Sequence, residues 1–449
     1  MRTAVVIGAG IAGLLAARVL TEHADEVVIV ERDRLDDSPA QSDSGDEPRR
    51  GVPQGTQMHA LLEAGRRGVE RWLPGFTDDF VAAGAVRANS GRDVHAHLDG
   101  RLKVLVGDLP MISATRPFLE NHIRRRVLAC APITVRTGVV RGLSFAGDRV
   151  DGVRITPTGA VSDTRPETLS ADLVVDATGR GSRITSWLTE AGWPEPPMRR
   201  IPVDLGYATA FLRTPDVTAA GGAMVAQSLT TLPDGRVRLA TLGRVEGDRW
   251  IVLLAGYAQD HPGRTPGEFL DRCRTDPAPV FGKLAANAEL VGEVAMYRHP
   301  DNRRRDFHTL RRFPAGLVCV GDAVASFNPV YGQGMSSAAQ HAAALATALE
   351  SGSLPGQPAH AYFKAVRRTV DDAWQTSVLN DLRLPHLRGE PRPPGFRLAA
   401  GLGDMVLRAT VTDPVVGRRF LDVMHMLAGP VTLMRPGTLL RAARASRRA

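Results

Sequence analysis

Apolar and polar positions along the chain follow two periods. Near the start a β-branched run, Val5-Val6-Ile7, meets a turn containing Gly8, Gly10 and Gly13, and an Ala- and Leu-rich stretch at helical spacing runs on to Leu20. A second apolar run, Val27 to Val30, predicts a strand that ends in Glu31. Residues 36–55 are rich in Asp, Ser, Pro and Gly and predict a loop. Met58, Leu61, Leu62, Val69 and Trp72 predict a helix over 57–73, stopped by Pro74-Gly75. Residues 93–107 predict a short strand pair, and 116–128 a helix capped by Thr115. Strands recur from 133 to 178 and close on Leu173-Val174-Val175-Asp176. Between 203 and 257 the period is two: Tyr207/Thr209/Phe211, Val237/Leu239 and Ile251/Leu253/Ala255 predict an antiparallel sheet with one covered face. An apolar strand from Leu317 to Val320 precedes helices that run from Ala338 onward, broken by a Pro- and Arg-rich loop near 385–396.

Composition narrows the class. A chain of 449 residues is too long for one core, so two or three subdomains are expected. The net charge of +8 arises from basic residues dispersed among 48 acids, without a basic stripe and interleaved aromatics, which argues against nucleic acid as a partner. Cys130, Cys273 and Cys319 are far apart and odd in number, so neither a disulfide framework nor a metal site is expected. The chain opens on its first strand and holds no apolar run of membrane-spanning length; the expected location is the cytoplasm.

The strand–turn–helix–strand unit has the form of a dinucleotide site. Its first two glycines permit a tight turn and close approach to a pyrophosphate, and the third lets helix pack on strand. Glu31, 23 residues after Gly8, is placed to accept hydrogen bonds from a ribose. A second signature, GLVCVGDAVASFNPVYGQGMSS, occupies 316–337. Gly321 lets Asp322 approach a polyol chain, and the Gly-Gln-Gly-Met turn leaves N–H groups free at a helix start, where they favour negative charge on a flavin ring.

These motifs resemble those of the FAD-dependent monooxygenases with the aromatic-hydroxylase fold, a superfamily that includes squalene-epoxidase-like enzymes and flavin halogenases. GAGIAGLLAARVL with VVIVERD is similar to the ADP-binding signature, and GDAVASFNPVYGQGMSSAAQHA to the ribityl and flavin signature. RRGVPQGTQMHALLEAG at 49–65, DATGRGSR at 176–183, GDRWIVLLAG at 247–256 and VDDAW at 370–374 most resemble the polyether-antibiotic epoxidases of the lasalocid and monensin kind. The likeness reaches about residue 380 and is weak beyond it.

The resemblance implies FAD as cofactor. Gly8, Gly10, Ala12, Gly13, Glu31 and Arg32 would hold its ADP half, with Val139, Asp176, Gly179 and Gly321 beside it. Arg116 would face the cofactor, Asp322 would bind the ribityl chain, and Arg50 and Val52 would belong to a covering loop. Pro329, Gly332, Gln333, Gly334 and Met335 would edge and position the isoalloxazine, with no side-chain base assigned. One departure matters: aromatic hydroxylases carry an Asp-Gly pair that serves NADPH, and here Thr178 precedes Gly179. Reduction is expected from NAD(P)H directly or through a separate flavin reductase.

The expected fold is α/β. A discontinuous Rossmann-like FAD-binding domain would take 1–75, 108–190 and 300–345; an antiparallel β-sheet substrate-binding domain would take 76–107 and 191–299; a C-terminal helical region would take 346–449. Tyr207, Phe211, Leu239, Trp250 and Leu254 are the expected substrate walls and favour a sizeable apolar ligand, such as a polyene or polyketide. The resemblance implies transfer of one oxygen atom from O2 through a flavin C4a-hydroperoxide. Hydroxylating a phenol gains from a base, whereas epoxidising an alkene does not, and 203–257 holds no His. Alkene epoxidation of a natural-product intermediate therefore ranks first, phenol hydroxylation second, and a dehydrogenase or reductase of the geranylgeranyl-reductase kind third. His59 and His122 are read as structural. Halogenation is disfavoured, since the first 102 residues hold no Lys and Arg249-Trp250-Ile251-Val252 lacks a second Trp. The amphipathic segment 396–447 is expected to pack on the body rather than lie on a membrane.

Overall fold

The β-branched runs around Val5, Val28 and Val174 form the middle of a parallel sheet, where stiff side chains fill both faces. Its five strands run in the order Leu317–Cys319, Leu173–Asp176, Thr3–Ile7, Glu26–Glu31, Ile133–Thr137. The computed structural model describes residues 1–35, 48–159, 164–216 and 218–446; residues 36–47 of the loop expected at 36–55, and the last three residues, lie outside them. Parallel pairing sends three strand ends into the loops carrying Gly8, Gly179 and Gly321. The two glycine signatures, some three hundred residues apart, thereby meet: a Cβ added at Gly321 would lie 2.7 Å from that of Ala12.

The period-two segment lies in a seven-stranded sheet. Its order is Glu289–His299, Leu205–Arg213, Arg249–Tyr257, Val237–Val245, Val225–Thr231, Val94–Leu98, Arg101–Leu102. Neighbours are antiparallel except for Val225–Thr231 with Val94–Leu98. The expectation of one covered face is corrected, because both faces are buried. Ala208, Ala210, Leu212, Trp250, Val252 and Leu254 pack against Phe269, Phe281 and Leu284 of helices Pro266–Arg274 and Pro279–Asn287. Tyr207, Leu239 and Leu253, on the opposite face, look into a cavity between this sheet and the parallel-sheet body.

The helix expected over 57–73 is also corrected. His59–Leu61 is a strand that pairs antiparallel with Pro110–Ala114, and the helix is Glu63–Trp72. A backbone ladder from a distant strand outweighs the helical spacing of Met58, Leu61 and Leu62. Thr115 does cap the helix Arg116–Leu128, its hydroxyl accepting from the Phe118 N–H. After helices Gly334–Glu350 and His360–Asp381, three more, Phe396–Ala409, Pro414–Met424 and Pro436–Ala445, gather around Val406, Val416 and Val423, and the first two of these line the cavity. Among the described residues no helix is long and apolar enough to cross a membrane.

Candidate active site

Three strand ends and two helix starts open on one cavity of about 1560 Å³, which continues between the sheets and under the C-terminal helices. Two corners require glycine. Gly8 has φ +101°, and a Cβ there would come 2.8 Å from the Ala177 carbonyl oxygen; a Cβ at Gly13 would come 1.9 Å from that of Gly8. Gly10 differs, with no atom within 4 Å of an added Cβ, and presents bare backbone to the cavity. No side chain caps the helix Ile11–Leu20, so its first N–H groups are free to meet an anion.

Beside this turn lies a cluster of paired charges. The Glu31 carboxylate accepts from the Ala9 N–H (2.7 Å) and the Asp33 N–H (3.1 Å). Arg49 reaches Glu31 (3.5 Å), Asp33 (3.3 Å), Glu120 and the Ala9 carbonyl (3.2 Å), while Arg116 donates twice to Glu120 (3.0 and 3.1 Å). Burial pushes the Glu120 carboxyl up, but Arg116 and Arg49 outweigh it and hold the group below its ordinary value. Ala12, Arg32, Val52 and Val139 line the cavity. The expectation for Arg50 is corrected: it is exposed and off the cavity, and its neighbour Arg49 takes the inward place. Asp176 is corrected as well. Fully buried, it lies behind the cavity wall and fixes the turn, accepting from the Thr178 N–H (3.0 Å) and from the hydroxyls of Thr178 and Ser182 (both 2.5 Å). Gly179 and Arg180 of that turn do line the cavity, Arg180 being held by Asp301.

Further along, Gly321, Asp322, Pro329, Gly332, Gly334 and Met335 form a continuous rim. Burial raises the Asp322 carboxyl, opposed by a Ser326 hydrogen bond and the charges of Arg180 and Arg116. The helix Gly334–Glu350 also begins without a side-chain cap. The Gln333 side chain lines a second, small cavity with Gln340, Thr369 and Asp372, while its backbone continues the rim between Gly332 and Gly334.

A family of FAD binding domains matches residues 112–359, over half of the chain. The chain belongs to that family. Protein Rv3254 of Mycobacterium tuberculosis is 35% identical to it over 436 residues, covering 94% of this chain and 89% of its own. The p-nitrophenol 4-monooxygenase PnpA of Pseudomonas putida has a similar fold, with TM-score 0.63 and 17% identity over 96% of this chain and 100% of that one. A flavin-dependent brominase aligns with TM-score 0.65 and 16% identity over 99% and 98% of the two chains. The cavity suits FAD. The gap at Gly10 admits a pyrophosphate, Glu31 and Asp322 offer carboxylates to hydroxyl groups, and the bare helix start at Gly334 offers N–H groups to an electron-rich ring edge.

Opposite the rim is the sheet. Tyr207 and Leu239 line the cavity, together with Leu98, Leu229 and Leu253. The expectations for Phe211, Trp250 and Leu254 are corrected. Trp250 and Leu254 have the other strand parity and face the helices, while Phe211 lies beneath the Arg249 guanidinium, 4.9 Å from its ring centroid. His59 lines the cavity and contacts the Gln57 carbonyl (2.8 Å); burial and then Arg116 lower it to about 4. His122 lies among Phe76 and Phe80, outside the cavity.

Sequence reasoning missed a buried polar group between rim and sheet. Asp381, the last residue of His360–Asp381, accepts from the Tyr331 hydroxyl (2.8 Å), Asn328 Nδ2 (2.9 Å) and Asn302 Nδ2 (2.6 Å). Asn328 Nδ2 also donates to the Tyr257 hydroxyl (3.0 Å). Among the described residues no cation faces this carboxyl, and burial lifts it to about 7. A signal was present: Val366, Val370, Ala373, Ser377 and Asp381 form one buried stripe at helical spacing, with polar residues where apolar ones are expected.

Proposed function

We propose that the protein is an FAD-dependent monooxygenase that hydroxylates a sizeable, largely apolar substrate bearing an acidic hydroxyl, a phenol or an enol, held between the sheet and the rim Pro329–Gly332. Asp381 carries this reading. A carboxyl at about 7 exists in both states near neutrality, which suits a group that takes and returns a proton. Bound FAD supplies the reducing power and activates O2. The substrate hydroxyl would donate to Tyr331, whose own proton passes to Asp381; burial holds the Tyr331 hydroxyl far above its usual range, so it acts as a neutral carrier. Asn302 and Asn328 fix the carboxyl, and Leu229, Leu239 and Leu253 keep water from the apolar part of the substrate. The grounds for ranking epoxidation first lay in the lack of a base within 203–257, and Asp381 comes from a helix far beyond it. Epoxidation is kept as second reading because the sheet face is apolar and an alkene needs no base.

The same reading includes a separate flavin reductase, since Thr178 spends its hydroxyl on Asp176 at the position where hydroxylases carry an acid. The test is oxygen uptake with a panel of phenols and polyenes, supplied either with NADPH alone or with a generic reductase. Phenol turnover with a pH inflection near 7 that Asp381→Asn removes supports the reading. Turnover of alkenes alone, without that inflection, returns epoxidation to first place.

A further inference from the structure

The cavity holds a second functional group that oxygen transfer does not use. Lys103 follows the edge strand Arg101–Leu102, and its N–H donates to the Ala96 carbonyl (2.8 Å). Ala96 and Lys103 both line the cavity. The ammonium stands over the Phe420 ring of helix Pro414–Met424, 4.9 Å from its centroid. Among the described residues no carboxylate pairs with it: on the Phe420 helix, Asp422 is held by Arg418 (2.9 Å) and the capping Asp413 by Arg441 (3.0 Å). Of the other cavity cations, Arg49 and Arg116 are held by Glu120, Arg180 and Arg303 by Asp301, and Arg383 by Asp404, while Arg32 and Arg183 belong to the glycine-rich turns at the far end. Burial alone lowers the Lys103 ammonium to about 8, with no charged neighbour contributing.

A lysine on open surface needs no partner, but Lys103 is half-buried at the cavity wall and its ammonium has a ring face where a counter-ion would sit. An anion entering from the cavity supplies that counter-ion. One ammonium suits a monoanion, whereas a phosphate dianion calls for several donors. We propose that Lys103 binds a carboxylate on the substrate, so that the ligand is an apolar acid with its charged end at Lys103. Where its other end reacts rests on the reading of Asp381 given above. The sheet sets the length. Ala96 aligns with Gln227, Thr241 and Leu253 across successive strands, and Lys103 lies one strand further out; at about 4.8 Å per strand its backbone and the strand bearing Tyr257 lie roughly 19 Å apart.

Calorimetric titration of the FAD-loaded protein with dodecanoate and dodecanol tests the site without turnover. Dodecanoate is expected to bind about tenfold or more tighter than dodecanol. Lys103→Met should erase that preference by weakening dodecanoate alone, and Lys103→Arg should keep most of it. Dodecanoate that fails to bind, or binds no better than dodecanol, overturns the proposal on the wild-type protein, however the variants fold. A Lys103→Met protein that keeps the preference overturns it too. Failure to hydroxylate phenols would leave these affinities untouched, so the two readings fail separately.

Discussion

Beside the phosphate-facing turn, Glu120 lies between Arg49 and Arg116; beside the rim, Asp381 has two amides and a phenol for company. Both carboxyls are buried, at 4% and 1% exposure, and burial pushes each upward. The arginines reverse that push at Glu120, whereas neutral donors leave Asp381 at about 7. The same side-chain chemistry is thus made permanent in one place and reversible in the other. A fixed charge suits a cofactor that stays bound. A proton that comes and goes suits a substrate.

The sharpest way to break this comparison is Asp381→Asn. The proposal expects kcat on a phenolic substrate to fall about 10²–10⁴-fold with FAD content unchanged; stopped-flow and flavin absorbance check the two parts. Stability against pH tests the contrast directly. Below 3.8 Asp381 is neutral folded or unfolded, and between 3.8 and about 7 only the unfolded chain ionises, so its contribution falls as pH rises. The full cost is roughly 4 kcal/mol. Glu120 has the opposite sign: its contribution is complete above its ordinary value of 4.5 and is lost as pH falls below that. Denaturant melts from pH 3 to 9 should lose the first limb, and keep the second, in Asp381→Asn. Arg49→Met leaves Glu120 and Glu31 short of a partner and should cost about 3–5 kcal/mol in the same melts. Gly13→Ala should cost about 1–3 kcal/mol through the clash with Gly8, while Gly10→Val should leave the melt nearly unchanged and weaken FAD binding. The smallest effect belongs to Arg50→Ala, which should stay within about 0.5 kcal/mol.

The meeting of the two glycine-rich turns at one cavity was legible because each turn is a local feature of the chain. Gly8, Gly10 and Gly13 belong to one turn, and Gly321-Asp322 to another, so local spacing carries the information. Legibility ended where a choice depended on a distant partner. Arg49 and Arg50 are equal as sequence, and only the placement of Glu31, Asp33 and Glu120 selects the first. Period two was visible across 203–257, yet which parity faces the cavity depends on helices at Pro266–Arg274 and Pro279–Asn287, and Trp250 and Leu254 went to the wrong side. His59–Leu61 looked helical until Pro110–Ala114 supplied a ladder. Asp381 was the costliest omission, since its meaning comes from Asn302, Asn328 and Tyr331 converging on it.

The two-faced seven-stranded sheet has a practical consequence. On four of its five inner strands odd-numbered residues such as Tyr207, Leu229, Leu239 and Leu253 border the cavity, and even-numbered ones such as Leu212, Leu242, Trp250 and Leu254 join the helices behind it. A library restricted to odd positions would vary what the enzyme accepts while leaving its support alone. One restricted to even positions would vary robustness while leaving acceptance alone. Alternation along a strand thus separates two traits that directed evolution usually has to trade against each other.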